Sequence, residues 1–337
     1  MGNRIKHYKS TPVGTILVFV GLALFIIIAP RFTNDYSMMV LNIACINSIA
    51  TLGISIMLGM GGQFSFAAVS FMGVGAYTVA NLTNGRNGFI METIPALLIA
   101  VVVATILAYI MGLILFRLHG TYFTFATIGL AQVTWAIYMN FKPLSGGPDG
   151  ISGIPFIGIG DLKPANYTTW FYIIMGIVII CMILVERVRR TQLGRSLASI
   201  RDNEIAAQTL GVNVYQTKVI AFTLAGTLAG LAGGLVAMHN RFIAADLFTF
   251  DVSTTYVIMA MLGGVNNTVG TFVGSLLVTM LPEWLRPVQQ YLKLAYGIGV
   301  ILLMIFMPMG LAGMVKSITA RLRKKVEVTG NESNTKA

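Results

Sequence analysis

Long apolar stretches separated by short polar segments fill most of this chain. A helix needs about 20 mostly apolar residues to cross the hydrocarbon core of a bilayer. Eight stretches of about that length predict membrane-spanning helices: residues 12–30, 36–58, 64–82, 94–116, 121–141, 168–185, 215–238 and 292–315. The pattern therefore predicts an all-α fold, a polytopic membrane helix bundle.

Two shorter apolar stretches, 252–262 and 268–282, lie between the last two of these spans. The uncharged segment 263–267 separates them. They form either two short spans or one hairpin that enters and leaves the membrane on the same side. The bundle then has about ten transmembrane helices, or eight plus a re-entrant hairpin.

Lysine and arginine are distributed unevenly between the two sides of the predicted bundle. With the amino terminus inside, sixteen of the 23 basic residues face the cytoplasm: three before residue 10, one at 117, six in 186–218 and six after residue 315. The outer side receives the other seven, together with seven of the 12 acidic residues. Because cytoplasmic loops of membrane proteins are enriched in Lys and Arg, both termini are predicted to be cytoplasmic.

The spans divide the chain into three regions. Residues 1–11 are predicted to be a basic cytoplasmic segment, residues 12–315 a transmembrane domain, and residues 316–337 a disordered basic tail. A cytoplasmic loop, 186–214, interrupts the transmembrane domain. The first apolar stretch follows basic residues as in a signal sequence, but it is longer than a usual signal core and lacks a small-residue cleavage site. We therefore interpret it as an uncleaved span.

The composition agrees with a membrane protein and argues against two other classes. Charged residues make up 10% of the chain, whereas a typical soluble domain has roughly 25%. The net charge of +11 comes from basic residues beside apolar runs, without a basic face interleaved with aromatic residues, so nucleic-acid binding is not predicted. Cys45 and Cys181 are far apart and the histidines are scattered, so no metal site is predicted.

Apart from Lys218 and Lys293, each within four residues of an end of its span, the predicted spans contain no Lys, Arg, Asp or Glu. Ion pumps and proton-coupled carriers usually need ionisable groups at membrane depth, so the energy for uphill transport is expected to come from elsewhere. Three glycines within 59–62 would weaken a helix, and irregular backbone at this depth is tolerated beside a water-filled path. Plain helix packing is the alternative role for such glycines. The residues predicted to line a substrate pathway are Gly61, Gly62, Gln63, Ser65, Asn47 and Gln132.

The cytoplasmic loop 186–214 has the signature of a short capped helix. Asp202 is a suitable N-cap and Gly211 a suitable residue just beyond the helix end, which predicts about two helical turns between them. Such a helix, with small residues and flanking charge, can dock into a groove on a partner protein. The alternative is an ordinary solvated loop.

Within this loop, residues 201–211 resemble the cytoplasmic coupling loop of ABC-transporter permeases, whose pattern is Glu-Ala-Ala, three residues, then Gly. Ala206, Ala207 and Gly211 keep that spacing, while Ile205 occupies the Glu position and Glu204 comes one residue early. This departure is found in permeases for branched-chain amino acids, of the LivM type.

Four further segments are similar to signatures of the same family. Residues 59–65 with 71–77 resemble its first signature, and residues 118–129 resemble its second. Gly-Gly-Pro-Asp-Gly-Ile at 146–151 matches an external-loop signature, and 262–274 resembles the last. The signatures occur in the family's order.

The resemblance, which covers roughly residues 36–315, implies a subunit of a bacterial inner-membrane importer of branched-chain amino acids. Its implied partners are a second related permease chain, two ATP-binding cassette subunits and a periplasmic solute-binding protein. The residues implied to couple to the ATPase are Arg195, Arg201, Asp202, Glu204, Ala206, Ala207 and Gly211, and those implied to contact the binding protein are Pro148 and Asp149.

The sequence contains no phosphate-binding loop and no nucleophile–base pair, so this chain is expected to be a transport subunit and not an enzyme. ATP is then used by the partner subunits, and no cofactor is expected in this chain. Two alternatives remain open: a permease of the same family for urea or short amides, and a secondary carrier or channel that works without an ATPase.

Overall fold

The computed structural model describes residues 30–31, 34–85, 90–118, 120–156 and 166–284, with the isolated positions 291, 294 and 297. The predicted first and last spans lie outside these residues apart from single positions. The basic segment 1–11 and the tail 316–337 lie outside them entirely.

Helices account for most of the described chain, as the apolar pattern predicts. In chain order they are α1 (Asp35–Ile54, continued by a π-helical turn Ser55–Met60), α2 (Ala68–Thr83), α3 (Thr93–Leu115), α4 (Thr121–Asn140), α5 (Lys142–Ser145), α6 (Tyr167–Arg190), α7 (Gln192–Asp202), α8 (Glu204–Thr209), α9 (Val214–Asn240), α10 (Phe250–Gly263) and α11 (Thr268–Trp284). Short 3₁₀ turns lie at Gly147–Asp149 and Ala245–Phe248, and a two-residue ladder pairs β1 (Ile151–Ser152) with β2 (Phe242–Ile243).

For the described residues, the prediction of a helical fold with several membrane-spanning helices is confirmed. Among the described residues, four helices are long and apolar enough to cross a membrane: Asp35–Met60, Thr93–Leu115, Tyr167–Arg190 and Val214–Asn240. The helix predicted at 64–82 begins later, at Ala68, because the backbone leaves helical geometry after Met60. The helix predicted at 168–185 continues to Arg190, so its basic end is helical and not part of the loop.

Helix α9 packs against α1, α2 and α3 at the centre of the bundle. Glycines let these backbones approach closely, because a Cβ added at Gly75 would lie 2.0 Å from the carbonyl oxygen of Gly230. A Cβ added at Gly233 would lie 1.9 Å from the carbonyl oxygen of Met72. Small residues are the usual means of close helix packing in membranes, where apolar lipid weakens the hydrophobic drive for association.

Helix α3 shows how its sequence divides into a packed face and an outer face. Small side chains recur every fourth residue and are buried; they are Ala96, Ala100, Ala104, Ala108 and Gly112. Larger apolar side chains such as Leu98, Val102 and Ile106 are exposed. Because residues four apart share one helix face, the small residues fit against α9 and the large ones are left for lipid.

Helices α10 and α11 form an antiparallel hairpin. Gly263 packs on the backbone of Gly270, since an added Cβ would lie 2.1 Å from that carbonyl oxygen. At the start of α11, Thr268 donates a hydrogen bond to Glu186 (3.2 Å), and near the end of α11, Glu283 accepts one from Tyr36 (2.8 Å). Helix α11 therefore extends from the level of the carboxyl end of α6 to the level of the amino end of α1.

Candidate functional site

The predicted cytoplasmic loop folds into two short helices, α7 and α8, which we call the helix pair. Helix α7 is amphipathic: Leu197 and Ile200 are buried against the bundle, while Arg195 and Asp202 lie on the exposed side. Arg195 donates to the carbonyl oxygen of Arg190 (2.9 Å), which fixes the corner between α6 and α7. The helix pair is thus seated on the end of the bundle by its apolar face.

Helix α8 is capped at both ends, but its N-cap is not the predicted residue. The side-chain oxygen of Asn203 accepts the backbone N–H of Ala206 (3.0 Å), whereas Asp202 is the last residue of α7. At the other end Gly211 has a φ of +84°, as predicted. The N–H groups of Gly211 and Val212 bond to carbonyls of the last turn of α8, which is the Schellman arrangement.

Two large apolar side chains of the helix pair point away from the bundle. Ile205 is 76% exposed and Leu210 is 82% exposed, while Ala207 beneath them is buried. Ala206, which keeps the family spacing, is on the exposed side with them. We call Ile205 and Leu210 the exposed pair. Two exposed apolar side chains on a charged segment make this surface a candidate protein contact.

An ion pair joins the helix pair to the central helix. Lys218 Nζ lies 2.8 Å from Glu204 Oε2, and the lysine side chain is 9% exposed while the glutamate is 42% exposed. Lys218 lies in the second turn of α9, inside the region predicted to span. Glu204, the first residue of α8, neutralises the charge of this buried lysine. The ion pair therefore holds α8 against the start of α9.

Arg201 connects the helix pair to two other segments at the same end of the bundle. Its Nη1 donates to the carbonyl oxygen of Gly59 (2.7 Å) and to Asn266 Oδ1 (3.1 Å). Its Nε and Nη2 also reach Asp202 Oδ1, at 3.3 and 3.2 Å. Asn266 was not predicted as a site residue, because nothing in its local sequence links it to a residue 65 positions away.

Gly61 and Gly62, predicted to line the pathway, lie against the helix pair. A Cβ added at Gly61 would lie 3.5 Å from Leu197, and one added at Gly62 would lie 2.6 Å from Cγ of Arg201. A Cβ at Gly61 would come nearer still to the carbonyl oxygen of Met57 (2.9 Å), so Gly61 packs on its own turn and on the helix pair, whereas Gly62 packs on the helix pair. Gln63 follows them and is half-buried.

The helix breaks after Met60, and the polar groups of the irregular backbone that follows find partners. Thr124 donates to the carbonyl oxygen of Phe64 (3.2 Å), and Thr127 accepts the N–H of Phe66 (3.2 Å). Ser253 donates to the carbonyl oxygen of Phe66 (2.6 Å). Hydroxyl groups of α4 and α10 thus satisfy backbone groups of this irregular segment, as its position at membrane depth requires.

The other predicted pathway residues are dispersed. Asn47 is buried, accepts a hydrogen bond from the Tyr256 hydroxyl (3.1 Å) and donates to Thr279 (3.3 Å). Ser65 is buried beside a cavity of about 20 Å³ lined mainly by apolar groups, room for about one water molecule. Gln132 is exposed on α4. The described chain does not bring these side chains together into one binding site.

Pro148 and Asp149 are exposed in a 3₁₀ turn at the opposite end of the bundle from the helix pair. The turn is held in place by backbone packing, because a Cβ added at Gly150 would lie 2.2 Å from the carbonyl oxygen of Ile243. Asn84, just beyond α2, donates to the carbonyl oxygen of Ser152 (2.7 Å). Asp149 is therefore presented from a fixed loop and makes a candidate contact for an external partner.

Within the residues that the structure describes, no group of three or more His, Cys, Asp or Glu side chains could hold a metal ion. What the described chain offers is a multi-pass apolar bundle, a capped helix pair at one end and a fixed polar loop at the other. These features define a class, the multi-pass α-helical membrane proteins.

The comparison with known proteins identifies the family within this class. A family profile described as branched-chain amino acid transport system / permease component matches residues 36–308, and the chain belongs to that family.

The chain is similar to several individual permeases. The high-affinity branched-chain amino acid transport system permease protein LivM of Escherichia coli (strain K12) is 27% identical over 323 residues, which cover 89% of this chain and 75% of that protein. The probable LivM of Methanocaldococcus jannaschii is 24% identical, covering 89% and 90% of the two chains. The ribose import permease RbsC of Haemophilus influenzae is 24% identical, covering 83% and 88%. No solved structure matches.

Proposed function

We propose that this chain is the permease subunit of an ATP-driven importer of leucine, isoleucine and valine in the bacterial inner membrane. The observation that carries the proposal is the family match over residues 36–308. The substrate class is supported by relatives named for branched-chain amino acid transport, which match 89% of this chain. The ribose permease among the relatives makes the substrate the first point to test.

The proposed assembly contains this chain, a second related permease chain, two ATP-binding cassette subunits and a periplasmic solute-binding protein. The exposed pair supports an ATPase contact at one end, because two apolar side chains there are left open to water. The fixed turn that carries Pro148 and Asp149 supports a binding-protein contact at the other end. ATP is used by the partner subunits, and this chain requires no cofactor.

The proposed topology has ten spans with both termini in the cytoplasm. The helix pair and the 263–267 turn then both lie on the cytoplasmic side, which the Arg201–Asn266 hydrogen bond supports. Helix α11 extends to Tyr36 at the far end of α1, which favours two short spans over a re-entrant hairpin for 252–282.

In the proposed mechanism, closure of the ATPases on ATP displaces the helix pair, and the spans rock so that the pathway opens alternately to each side. The buried amide of Asn47 lies among neutral polar groups, and such groups suit a zwitterion without a net charge. Selectivity then resides mainly in the solute-binding protein.

The exposed pair provides the test. Burying an Ile or Leu side chain contributes about 1.5–3 kcal/mol, so replacing both Ile205 and Leu210 by Ser removes about 3 kcal/mol or more from ATPase binding, a loss of about 100-fold in affinity. Binding of the ATPase subunits by titration and ATP-driven uptake of labelled leucine should both fall. Ile90→Ser is the matched control, because Ile90 is 87% exposed but lies at the opposite end of the bundle.

Unchanged ATPase affinity and leucine uptake in the Ile205→Ser/Leu210→Ser variant would contradict the coupling role of the helix pair. The substrate is tested by competition: unlabelled isoleucine and valine should reduce leucine uptake, whereas urea, acetamide and ribose should not. Gradient-driven flux through the chain reconstituted without ATPase subunits would instead support a carrier or channel.

A further inference from the structure

Arg201 joins three segments that are far apart in the sequence. It lies in the last turn of α7, and its Nη1 donates to Gly59 O (2.7 Å) and to Asn266 Oδ1 (3.1 Å). Gly59 belongs to the π-helical turn that ends α1, and Asn266 lies in the turn between α10 and α11. We call these three residues the Arg201 junction.

Two glycines provide the space that the junction requires. A Cβ added at Gly59 would lie 2.0 Å from the carbonyl oxygen of Val265, so only glycine lets the end of α1 touch the hairpin turn. Gly62 has a φ of +66°, and an added Cβ would lie 2.6 Å from Cγ of Arg201. The aliphatic part of the arginine therefore passes over a position that must lack a side chain.

The acceptors of the junction suit an arginine. Gly59 lies in the last turn of its helix, where carbonyl groups lack the usual partner four residues on. The planar guanidinium holds several donors in fixed directions, whereas a lysine ammonium on its flexible stem does not. Hydrogen bonds from a charged donor are also stronger than those between neutral groups. The π-helical geometry of Ser55–Met60 marks the acceptor turn as a place where α1 departs from regular structure.

We propose that Arg201 is a positioning residue that transmits displacement of α7 to α1 and to the α10–α11 hairpin. This inference rests on the proposed coupling function of the helix pair. Arg201 acts within this chain, and the exposed pair makes the contact with the ATPase. Helix α1 carries Asn47, and the hairpin carries its partners Tyr256 and Thr279, so the junction links the helix pair to the two elements that meet at this buried amide.

The test uses the complete transporter in proteoliposomes: this chain, the second permease chain, both ATPase subunits and the solute-binding protein. Arg201→Met removes the donors but keeps an aliphatic stem, Asn266→Ala removes one acceptor, and Arg201→Lys keeps the charge. Arg190→Met is the matched control, because the Arg190 guanidinium bonds to Glu186 of its own helix. The measured quantities are bound ATPase, ATP hydrolysis, and leucine transported per ATP hydrolysed.

Arg201→Met should keep its ATPase subunits and its hydrolysis but transport fewer leucines per ATP, by about fivefold or more. Arg201→Lys should recover part of the loss, and Arg190→Met should equal the unmodified protein. The double variant Arg201→Met/Asn266→Ala should be no worse than Arg201→Met, because both changes break the same link. A merely structural role would lower the amount of assembled transporter and leave the ratio of leucine to ATP unchanged.

An unchanged ratio in Arg201→Met would overturn the inference, and so would loss of ATPase binding, which would make Arg201 a direct contact. If Arg201→Met fails to fold, Arg201→Lys and Asn266→Ala decide, and a normal ratio in both overturns the inference. Absence of ATP-driven leucine uptake in the unmodified transporter would overturn the proposed function itself, which distinguishes the two failures.

Discussion

The close approach of α2 and α9 predicts that Gly75→Ala and Gly233→Ala destabilise the bundle. An added Cβ would lie 2.0 Å from Gly230 O in the first variant and 1.9 Å from Met72 O in the second, whereas ordinary contact begins at 3.4 Å. The two helices must therefore separate by about 1.4–1.5 Å, the difference between those distances. The obstructing atoms belong to the backbone, which cannot rotate away as the end of a flexible side chain can.

The energetic effect combines two opposing terms. Overpacking of a core costs about 1–3 kcal/mol, and a backbone obstacle places these variants near the upper end of that range. Alanine is the better helix former by about 1 kcal/mol, which offsets part of the loss. We expect each variant to lower the free energy of unfolding by about 2 kcal/mol.

The assay is unfolding of the purified chain in mild detergent by SDS titration, followed by circular dichroism and tryptophan fluorescence. Gly176→Ala is the control, because Gly176 lies in α6 and an added Cβ there meets nothing within 4 Å. It should be neutral or slightly stabilising. The reasoning about helix contact is refuted if Gly75→Ala and Gly233→Ala unfold at the same SDS fraction as Gly176→Ala.

Two further predictions concern buried polar contacts. Glu204→Ala leaves Lys218, whose side chain is 9% exposed, without its ion-pair partner, and it should destabilise the chain by about 1–3 kcal/mol in the same SDS titration. The control is Asp202→Ala, because the Asp202 side chain is 64% exposed, and it should change stability by less than about 0.5 kcal/mol. Equal effects of the two variants would contradict the buried ion pair. Asn47→Leu leaves the Tyr256 hydroxyl without its hydrogen-bond acceptor, which should lower the free energy of unfolding by about 1–3 kcal/mol. The double variant Asn47→Leu/Tyr256→Phe should recover stability, because it removes the unpaired hydroxyl as well. A loss of stability in the double variant equal to the sum of the two single losses would contradict this contact.

The long helices were predictable because their signal is a simple one. A run of about 20 apolar residues has few alternatives to a membrane-spanning helix, and the structure has helices over most of those runs among the described residues. Their ends were less predictable. Asp202 and Asn203 are both good N-caps, and the choice of Asn203 follows from Asp202 being the last residue of α7.

The contacts at the helix-pair end of the bundle were not predictable, because they join residues from distant parts of the sequence. Arg201 lies 142 residues from Gly59 and 65 from Asn266, and no periodicity connects them. The sequence indicates a basic residue at position 218 on the cytoplasmic side, but its burial and its ion pair with Glu204 arise only when α8 and α9 meet at their corner. Such pairs become visible only when the helices are assembled.

The glycines near the end of α1 illustrate why residue type alone leaves function open. For Gly61 and Gly62 the sequence predicts either plain packing or a substrate pathway, and the structure adds a third role, clearance for α7 and the stem of Arg201. The pathway role stays a prediction, but the two roles place different demands on Gly62. A pathway needs open space beside the backbone, whereas the junction needs that space filled by the arginine. Gly62→Ala in the complete transporter would therefore act like Arg201→Met if clearance is the main role, lowering leucine transported per ATP while ATPase binding persists.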